Sequence, residues 1–215
     1  IRMEWSEDGH FDDNATLAIV NRNLPVPSYS ATVTSKKVVI KTSALTLTYN
    51  ITGEFTEDNL SVVFSMVPVG GTKAKKVTWR PGADESGNLL GTTRTLDGCR
   101  GFDEINKNDP YEKGILSKDG WAVIDESERH LIVAEEGEWG GWVAPRPKGK
   151  RQDLYIFAYG HDYTAALADF TKIAGRIPLP PKYMFGYWWS RYWQYSDVEF
   201  VNLAKEIKSH NIPID

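Results

Sequence analysis

The segment from Gly175 to Tyr195 constrains the fold of this chain more than any other part of its sequence. Eight of its 21 residues are aromatic, and they follow a stiff entry that contains Pro178, Pro180 and Pro181. Proline lacks a backbone N–H and cannot join the centre of a sheet, so this entry predicts a domain boundary. A run so rich in indole and phenol rings is either buried or turned toward a ligand that has both apolar faces and hydroxyl groups.

The first 160 residues or so have the pattern of β structure. Leu45, Leu47 and Tyr49 alternate with threonines, which predicts a strand with one apolar face. Further short apolar runs lie at 38–42, 60–66, 121–125, 131–133 and 154–159. Clusters of Gly, Asn, Asp and Pro separate these runs, and no helical pattern interrupts them. Short strands in this arrangement predict an antiparallel sandwich rather than a parallel α/β sheet.

A helical pattern begins at Asp162. This residue can cap a helix N-terminus, and Gly175 stands where a glycine commonly ends a helix. Apolar residues at helical spacing predict the buried face of this helix: Tyr163, Leu167, Phe170 and Ala174. We therefore predict an N-terminal domain over residues 1–175, which is a β-sandwich with a C-terminal linker helix.

Residues 176–215 have the pattern of a βα unit. The run from Met184 to Trp189 is apolar along its whole length, so both faces of a strand formed here would be apolar. This is typical of a buried parallel strand. Ser196 and Glu199 have the spacing of a capping box and predict a second helix. A single βα unit cannot bury its own faces. We therefore expect this region to be the truncated beginning of a larger domain, and the chain to be part of a longer protein.

Composition excludes several classes of partner. The net charge is −4 and no stripe of Lys or Arg is present, so no nucleic-acid partner is predicted. The densest basic cluster, Lys73, Lys75 and Lys76, is predicted to be a solvated turn. No run of 18 apolar residues occurs, so no membrane span is predicted. One cysteine, Cys99, and four histidines do not suggest a zinc site, and we predict neither a metal nor a cofactor.

Five motifs occur in order along most of the chain. They are NLLGTTRTLD at 88–97, GILSKDGWAVIDES at 114–127, DLYIFAYGHDY at 153–163, ALADF at 166–170 and GRIPLPPKYMFGYWWSRYW at 175–193. Together they closely resemble glycoside hydrolase family 31, the family of α-glucosidases and α-xylosidases. The resemblance implies a mainly β chain, in which a galactose-mutarotase-like antiparallel β-sandwich is followed by the first βα unit of a (β/α)8 barrel.

The resemblance also implies a function. Such enzymes are retaining glycosidases, in which one carboxylate attacks the anomeric carbon and a second serves as acid and then as base. In this family both carboxylates lie on later barrel strands, which we expect beyond Asp215, so we assign no catalytic residue here. The implied substrate is a terminal α-glucoside or a related sugar such as an α-xyloside. The other implied partner is the remainder of the catalytic barrel.

Four residues are candidates for substrate binding. Tyr192 matches a family position whose ring lines the subsite of the non-reducing sugar, and Arg191 and Trp193 flank it. The alternative for this aromatic cluster is packing in the barrel core. Asp109 lies in a polar segment where family members insert a loop into the active site. The alternative for Asp109 is a simple Asp-Pro turn without a ligand.

Two other functions fit parts of the pattern. One is a sandwich module that binds carbohydrate without cleaving it, and such a module would have no use for a βα unit after Pro181. The other is an epimerase-like mutarotase, which would need convergent His and Glu side chains on one face of the sandwich. His10, His130 and His161 show no such arrangement in the sequence, so the glycosidase hypothesis is favoured.

Overall fold

The computed structural model describes residues 1–91, 111–133, 143–186 and 189–213, and the chain divides into two compact units, Ile1–Gly175 and Arg176–Asp215. The first unit is mainly β. Its strands are β1 (Arg2–Ser6), β2 (Ser30–Val33), β3 (Lys37–Lys41), β4 (Leu45–Asn50), β5 (Leu60–Met66), β6 (Lys75–Trp79), β7 (Ala122–Asp125), β8 (Leu131–Ile132), β9 (Val143–Ala144) and β10 (Arg151–Phe157). The helices are α1 (Tyr163–Ala174) in the first unit and α2 (Asp197–Ser209) in the second.

All strand pairs between the described residues are antiparallel. One sheet has the order β1-β10-β7, a second has the order β2-β3-β4-β5-β6, and β8 pairs with β9. Strands β2 to β6 form a meander, in which each strand pairs with the next one along the chain. In contrast, β10 lies between β1 and β7, which are far from it in sequence. The prediction of a mainly β chain with antiparallel sheets is confirmed.

The two larger sheets share one apolar core. Strand β5 buries Leu60, Val62, Phe64 and Met66 and leaves the intervening residues more exposed. These side chains pack in the same cluster as Met3 of β1 and residues of β10. Alternation of this kind places one face of each strand in the core, and burial of such side chains is the main favourable contribution to folding.

Strand β10 is buried on both faces. Leu154 and Ile156 belong to the core between the sheets, whereas Tyr155 and Phe157 belong to a second cluster with Ile19. Helix α1 supplies Ile173 and Phe170 to this second cluster. The three-stranded sheet is therefore covered by the five-stranded sheet on one face, and by α1 and the segment around Ile19 on the other.

Helix α1 has the predicted caps and part of the predicted buried face. The carboxylate of Asp162 accepts the backbone N–H of Ala165 at 3.0 Å, and Gly175 follows the helix with φ +83°. The buried residues are Ala166 and Ile173, whereas Leu167, which we predicted to be buried, is exposed. The predicted Phe170 does pack against Phe157, with ring centres 6.0 Å apart, whereas Ile173 rather than Ala174 is buried in the last turn.

The interpretation of the lysine cluster as a turn is wrong in part. Lys75 and Lys76 begin β6, the edge strand beside β5, and both side chains are exposed. An edge strand can carry charged side chains without desolvating them, and lysines at an edge discourage pairing with other chains.

The second unit contains a 3₁₀ turn and one helix among its described residues. The 3₁₀ turn, Lys182–Phe185, occupies the first part of the segment that we predicted to be a buried strand, and Phe185 is exposed. Pro181 precedes this turn with φ −56°. Helix α2 has the predicted capping box: the Ser196 hydroxyl accepts the N–H of Glu199, and the Glu199 carboxylate accepts the N–H of Ser196. The barrel and the galactose-mutarotase-like form of the sandwich stay predictions.

Candidate functional site

The aromatic segment before α2 presents its side chains to solvent. Tyr192 is fully exposed and Trp193 is largely exposed, in a stretch without regular secondary structure. The guanidinium carbon of Arg191 lies 4.9 Å from the centre of the Trp193 ring. A cation at this distance is attracted to the ring face, so Arg191 covers one face of Trp193 and restrains its orientation.

The chemistry of this segment suits the binding of a polyhydroxylated ligand. The ring of Tyr192 offers a flat apolar surface with a hydroxyl at its edge. The guanidinium of Arg191 donates hydrogen bonds and accepts none. Of the two acids in the first turn of helix α2, Asp197 and Glu199, the second is held in the capping box, where the N–H and hydroxyl of Ser196 lower the pKa of Glu199. That carboxylate serves the start of the helix.

The fourth predicted binding residue, Asp109, lies outside the described residues. The structure resumes at Tyr111, whose side chain is exposed. Of the four candidates, the structure therefore brings together Arg191, Tyr192 and Trp193, which are consecutive in the sequence. Their role in binding stays a prediction.

A buried charge cluster in the first unit was not predicted from the sequence. Asp153 of β10 is 1% exposed at its side chain and accepts hydrogen bonds from three arginines. The distances are 2.7 Å from Arg2 Nε, 2.8 Å from Arg22 Nη1 and 2.9 Å from Arg146 Nη2. Burial by itself raises the pKa of Asp153, but the hydrogen bonds and positive charges of Arg2 and Arg22 outweigh it and hold this pKa below the usual value.

Glu126 extends this cluster. Its side chain is fully buried, its Oε2 accepts a hydrogen bond from the Thr16 hydroxyl, and Arg22 Nη2 lies 3.4 Å away. Arg22 Nη1 also lies 3.3 Å from the hydroxyl of Tyr155. The cluster thus ties β10 to the segment 16–22 and to the turn after β7. Because three guanidinium groups occupy the Asp153 carboxylate, we assign it a structural role and not that of a nucleophile.

Among the described residues of the first unit, two cavities have volumes typical of small-molecule sites. One has a volume of about 560 Å³ and is lined by Trp79, Glu85, Asp125, Arg129 and Gln152 among others. The other has a volume of about 910 Å³ and is mostly apolar, with Pro25, Tyr29, Phe157, Tyr159 and Arg22 in its lining. None of the described residues that line either cavity is a predicted binding residue. Trp79 is 3% exposed and packs in the apolar core beside Trp121, so the polar side chains that the smaller cavity offers to a ligand include Glu85, Asp125 and Arg129.

Within the described ranges, no group of three or more His, Cys, Asp or Glu side chains is arranged to hold a metal ion. Among the same residues, no helix has the length and apolar character that crossing a membrane requires.

Comparison with known proteins relates the chain to glycosidases. No protein-family model matches it. It is 34% identical over 102 residues to an α-xylosidase of Saccharolobus solfataricus. The aligned stretch makes up 47% of this chain and 13% of that protein. It is 30% identical over 127 residues to the α-xylosidase XylQ of Lactiplantibacillus pentosus, with 57% of this chain and 16% of that protein covered.

A third relative is the α-glucosidase 2 of Bacillus thermoamyloliquefaciens, with 37% identity over 68 residues, or 32% of this chain and 8% of that protein. The matched part of the chain therefore spans less than a fifth of the length of each of these relatives. Over that part, the chain is similar to enzymes that are named as hydrolases of α-linked sugars.

Proposed function

We propose that this chain is the N-terminal part of a retaining α-glycosidase of glycoside hydrolase family 31. The observation that carries the proposal is the exposed Arg191–Tyr192–Trp193 segment, in a chain that is similar over part of its length to two α-xylosidases and an α-glucosidase. In this proposal the substrate is a terminal α-glucoside or a related α-xyloside.

In the proposed mechanism, this chain helps to bind the substrate and the rest of the enzyme supplies the catalytic carboxylates. A retaining glycosidase needs two carboxylates about 5 Å apart, one as nucleophile and one as acid and base. We assign both to the part of the enzyme that follows this sequence. The contribution of this chain is to hold the sugar, because a bound substrate held in a reactive orientation reaches the transition state more easily.

Each candidate residue has a distinct part in this proposal. The ring of Tyr192 stacks on the apolar face of the non-reducing sugar, and its hydroxyl lies at the rim of the subsite. Arg191 holds the Trp193 ring through the contact at 4.9 Å and so forms the wall beside Tyr192. Asp109, from the segment between 92 and 110, accepts hydrogen bonds from sugar hydroxyls.

The direct test uses the full-length protein that contains this sequence. We expect it to hydrolyse p-nitrophenyl α-D-xyloside or α-D-glucoside, and proton NMR of the first product should show the α anomer. A β anomer would contradict the retaining mechanism, and the absence of turnover with either substrate would contradict the proposed activity. The 215-residue chain alone is the control, and we expect no turnover from it.

A second candidate function is carbohydrate binding without cleavage. The cavity of about 560 Å³ favours it, because the charged side chains of Glu85, Asp125 and Arg129 line it and could bond sugar hydroxyls. The two functions differ in a simple experiment. If the 215-residue chain binds xylose or glucose oligosaccharides and the substitution Arg129→Ala, at an exposed residue, abolishes binding, while the full-length protein shows no hydrolysis, the binding module is the better description.

A further inference from the structure

Two aromatic rings meet at the start of helix α2. The ring of Tyr195 lies 4.9 Å from the ring of Phe200, measured between ring centres, and the two planes are inclined at 69°. Aromatic pairs favour this edge-to-face arrangement. Tyr195 is half-buried, whereas Phe200 keeps 55% of its surface exposed. The Phe200 ring therefore packs with one part of its surface on Tyr195 and leaves the rest uncovered.

The positions of these two residues identify the contact as a hydrophobic staple. Ser196 is the N-cap of α2, so Tyr195 immediately precedes the cap and Phe200 is the fourth residue of the helix. Apolar residues at these two positions commonly pack together, and their contact fixes the angle at which the chain enters the helix. The capping box between Ser196 and Glu199 lies within the same six residues. Side-chain contacts thus hold the chain from 195 to 200.

The substrate-binding candidates lie immediately before this staple. Only Gln194 separates Trp193 from Tyr195, and the three residues from Tyr192 to Tyr195 span at most about 11 Å. No backbone hydrogen bond of Arg191, Tyr192 or Trp193 reaches another residue in the described part of the chain. The contact between Arg191 and Trp193 is internal to the segment. The segment therefore takes its direction from the elements at its ends, and toward α2 that element is the staple.

We propose that Phe200 is a positioning residue for the segment from Arg191 to Trp193 and acts on it through Tyr195. Phe200 itself touches no substrate in this proposal. Its ring holds Tyr195, and Tyr195 fixes the backbone that follows Tyr192. Orientation matters here, because a misplacement of about 1 Å in a substrate-positioning group can lower a rate about 100-fold. The consequence for substrate rests on the proposed function, whereas the effect on the segment does not.

Substitutions in α2 separate the staple from the helix itself. Phe200→Ala removes the contact with Tyr195 but raises the intrinsic helix propensity at this position, so α2 should persist. Phe200→Leu keeps an apolar side chain against Tyr195. Val201→Ala is the matched control, because Val201 is similarly exposed, at 52%, and gains helix propensity in the same way. Val201 is the fifth residue of the helix and has no part in the staple.

The first test measures kcat/KM of the full-length protein with p-nitrophenyl α-D-xyloside or α-D-glucoside. We expect Phe200→Ala to lower kcat/KM about threefold to tenfold, and Phe200→Leu and Val201→Ala to stay within about twofold of the wild type. In the Tyr192→Ala background, Phe200→Ala should have an effect of less than about twofold, because the ring that it positions is gone. Equal losses in the two backgrounds would overturn the proposal.

The second test is independent of activity. A single 3-fluorotyrosine, incorporated at position 192 of the full-length protein, reports the environment of that ring by ¹⁹F NMR. We expect Phe200→Ala to shift or broaden the signal, and Val201→Ala to leave it unchanged. An unchanged signal in Phe200→Ala would refute the role of Phe200, whether or not the protein is a glycosidase. If the signal responds but neither substrate is hydrolysed, the proposed function fails and the positioning of the segment by Phe200 stands.

Discussion

Asp153 and Arg22 form an ion pair at 2.8 Å although their side chains are only 1% and 3% exposed. They are 131 positions apart in sequence, so the pair joins the segment before β2 to the central strand β10. Arg2 and Arg146 complete the coordination of the same carboxylate. Removing one charge from such a cluster leaves the opposite charges buried without compensation.

We therefore expect Asp153→Asn to destabilise the chain by about 3–5 kcal/mol. The amide keeps the size of the carboxylate but leaves the arginines without their shared anion. Urea unfolding followed by tryptophan fluorescence measures the change. Asp13→Asn is the matched control, because Asp13 also pairs with Arg2 but is 80% exposed, and its loss should cost less than about 1 kcal/mol. If the two substitutions lower the free energy of unfolding equally, burial does not determine how much Asp153 contributes to stability.

The lowered pKa of Asp153 predicts acid sensitivity. A carboxyl whose pKa is lower in the folded state than in the unfolded state binds fewer protons when folded. Its stabilising contribution is therefore present above the unfolded pKa, about 3.9, and is lost as the pH falls through the folded value. The difference in unfolding free energy between wild type and Asp153→Asn should be constant from pH 5 to 7 and shrink below about pH 4. A difference that grows on acidification would have the wrong sign.

Gly120 is predicted to tolerate no side chain. It has φ +79°, and a Cβ at this position would overlap the sulfur of Met66 and lie 3.0 Å from Cα of Gly160. We expect Gly120→Ala to lower the free energy of unfolding by about 2–4 kcal/mol, because the variant combines backbone strain at positive φ with overpacking of the core. Gly70→Ala separates the two causes, since Gly70 has φ +73° but no atom within 4 Å of the added Cβ. If the two variants unfold at the same denaturant concentration, crowding against Met66 has no part in the effect.

Tyr192→Ala should leave stability unchanged but weaken catalysis in the full-length enzyme. The side chain is fully exposed, so its removal should change the unfolding free energy by less than about 0.5 kcal/mol. Under the proposed function, loss of the stacking surface should lower kcat/KM for an α-xyloside or α-glucoside about tenfold, and Tyr192→Phe should retain most of the activity. Unchanged kcat/KM in the alanine variant would remove Tyr192 from the substrate site.

Local patterns in the sequence predicted local structure well. The alternation of Leu45, Leu47 and Tyr49 corresponds to β4, and the Ser196–Glu199 spacing corresponds to the capping box of α2. Strand β6 was missed because Lys75 and Lys76 resemble a solvated turn, and only pairing with β5 stabilises them in a strand. Intrinsic β-propensity predicts an edge strand poorly, because packing against the neighbouring strand determines whether such a segment is extended.

Two features depended on information that no local pattern contains. The apolar run from Met184 resembles a buried strand, yet the structure has a 3₁₀ turn at Lys182–Phe185, directly after Pro181. The charge cluster around Asp153 depends on residues that are up to 151 positions apart, such as Arg2. The sequence shows a carboxylate within an apolar run. Only the tertiary fold shows the arginines that compensate the buried charge of Asp153.

From Asp153 to Phe157, strand β10 is apolar on both faces, apart from one buried carboxylate on the face that Tyr155 and Phe157 share. Leu154 and Ile156 point into the core between the sheets, and Asp153 lies on the opposite face with its arginine partners. A slip of one residue against β1 would move the Asp153 carboxylate into the apolar core and expose the guanidinium groups to aliphatic side chains. Asp153 therefore helps to fix the register of β10, because a misaligned pairing would bury its charge away from the three arginines.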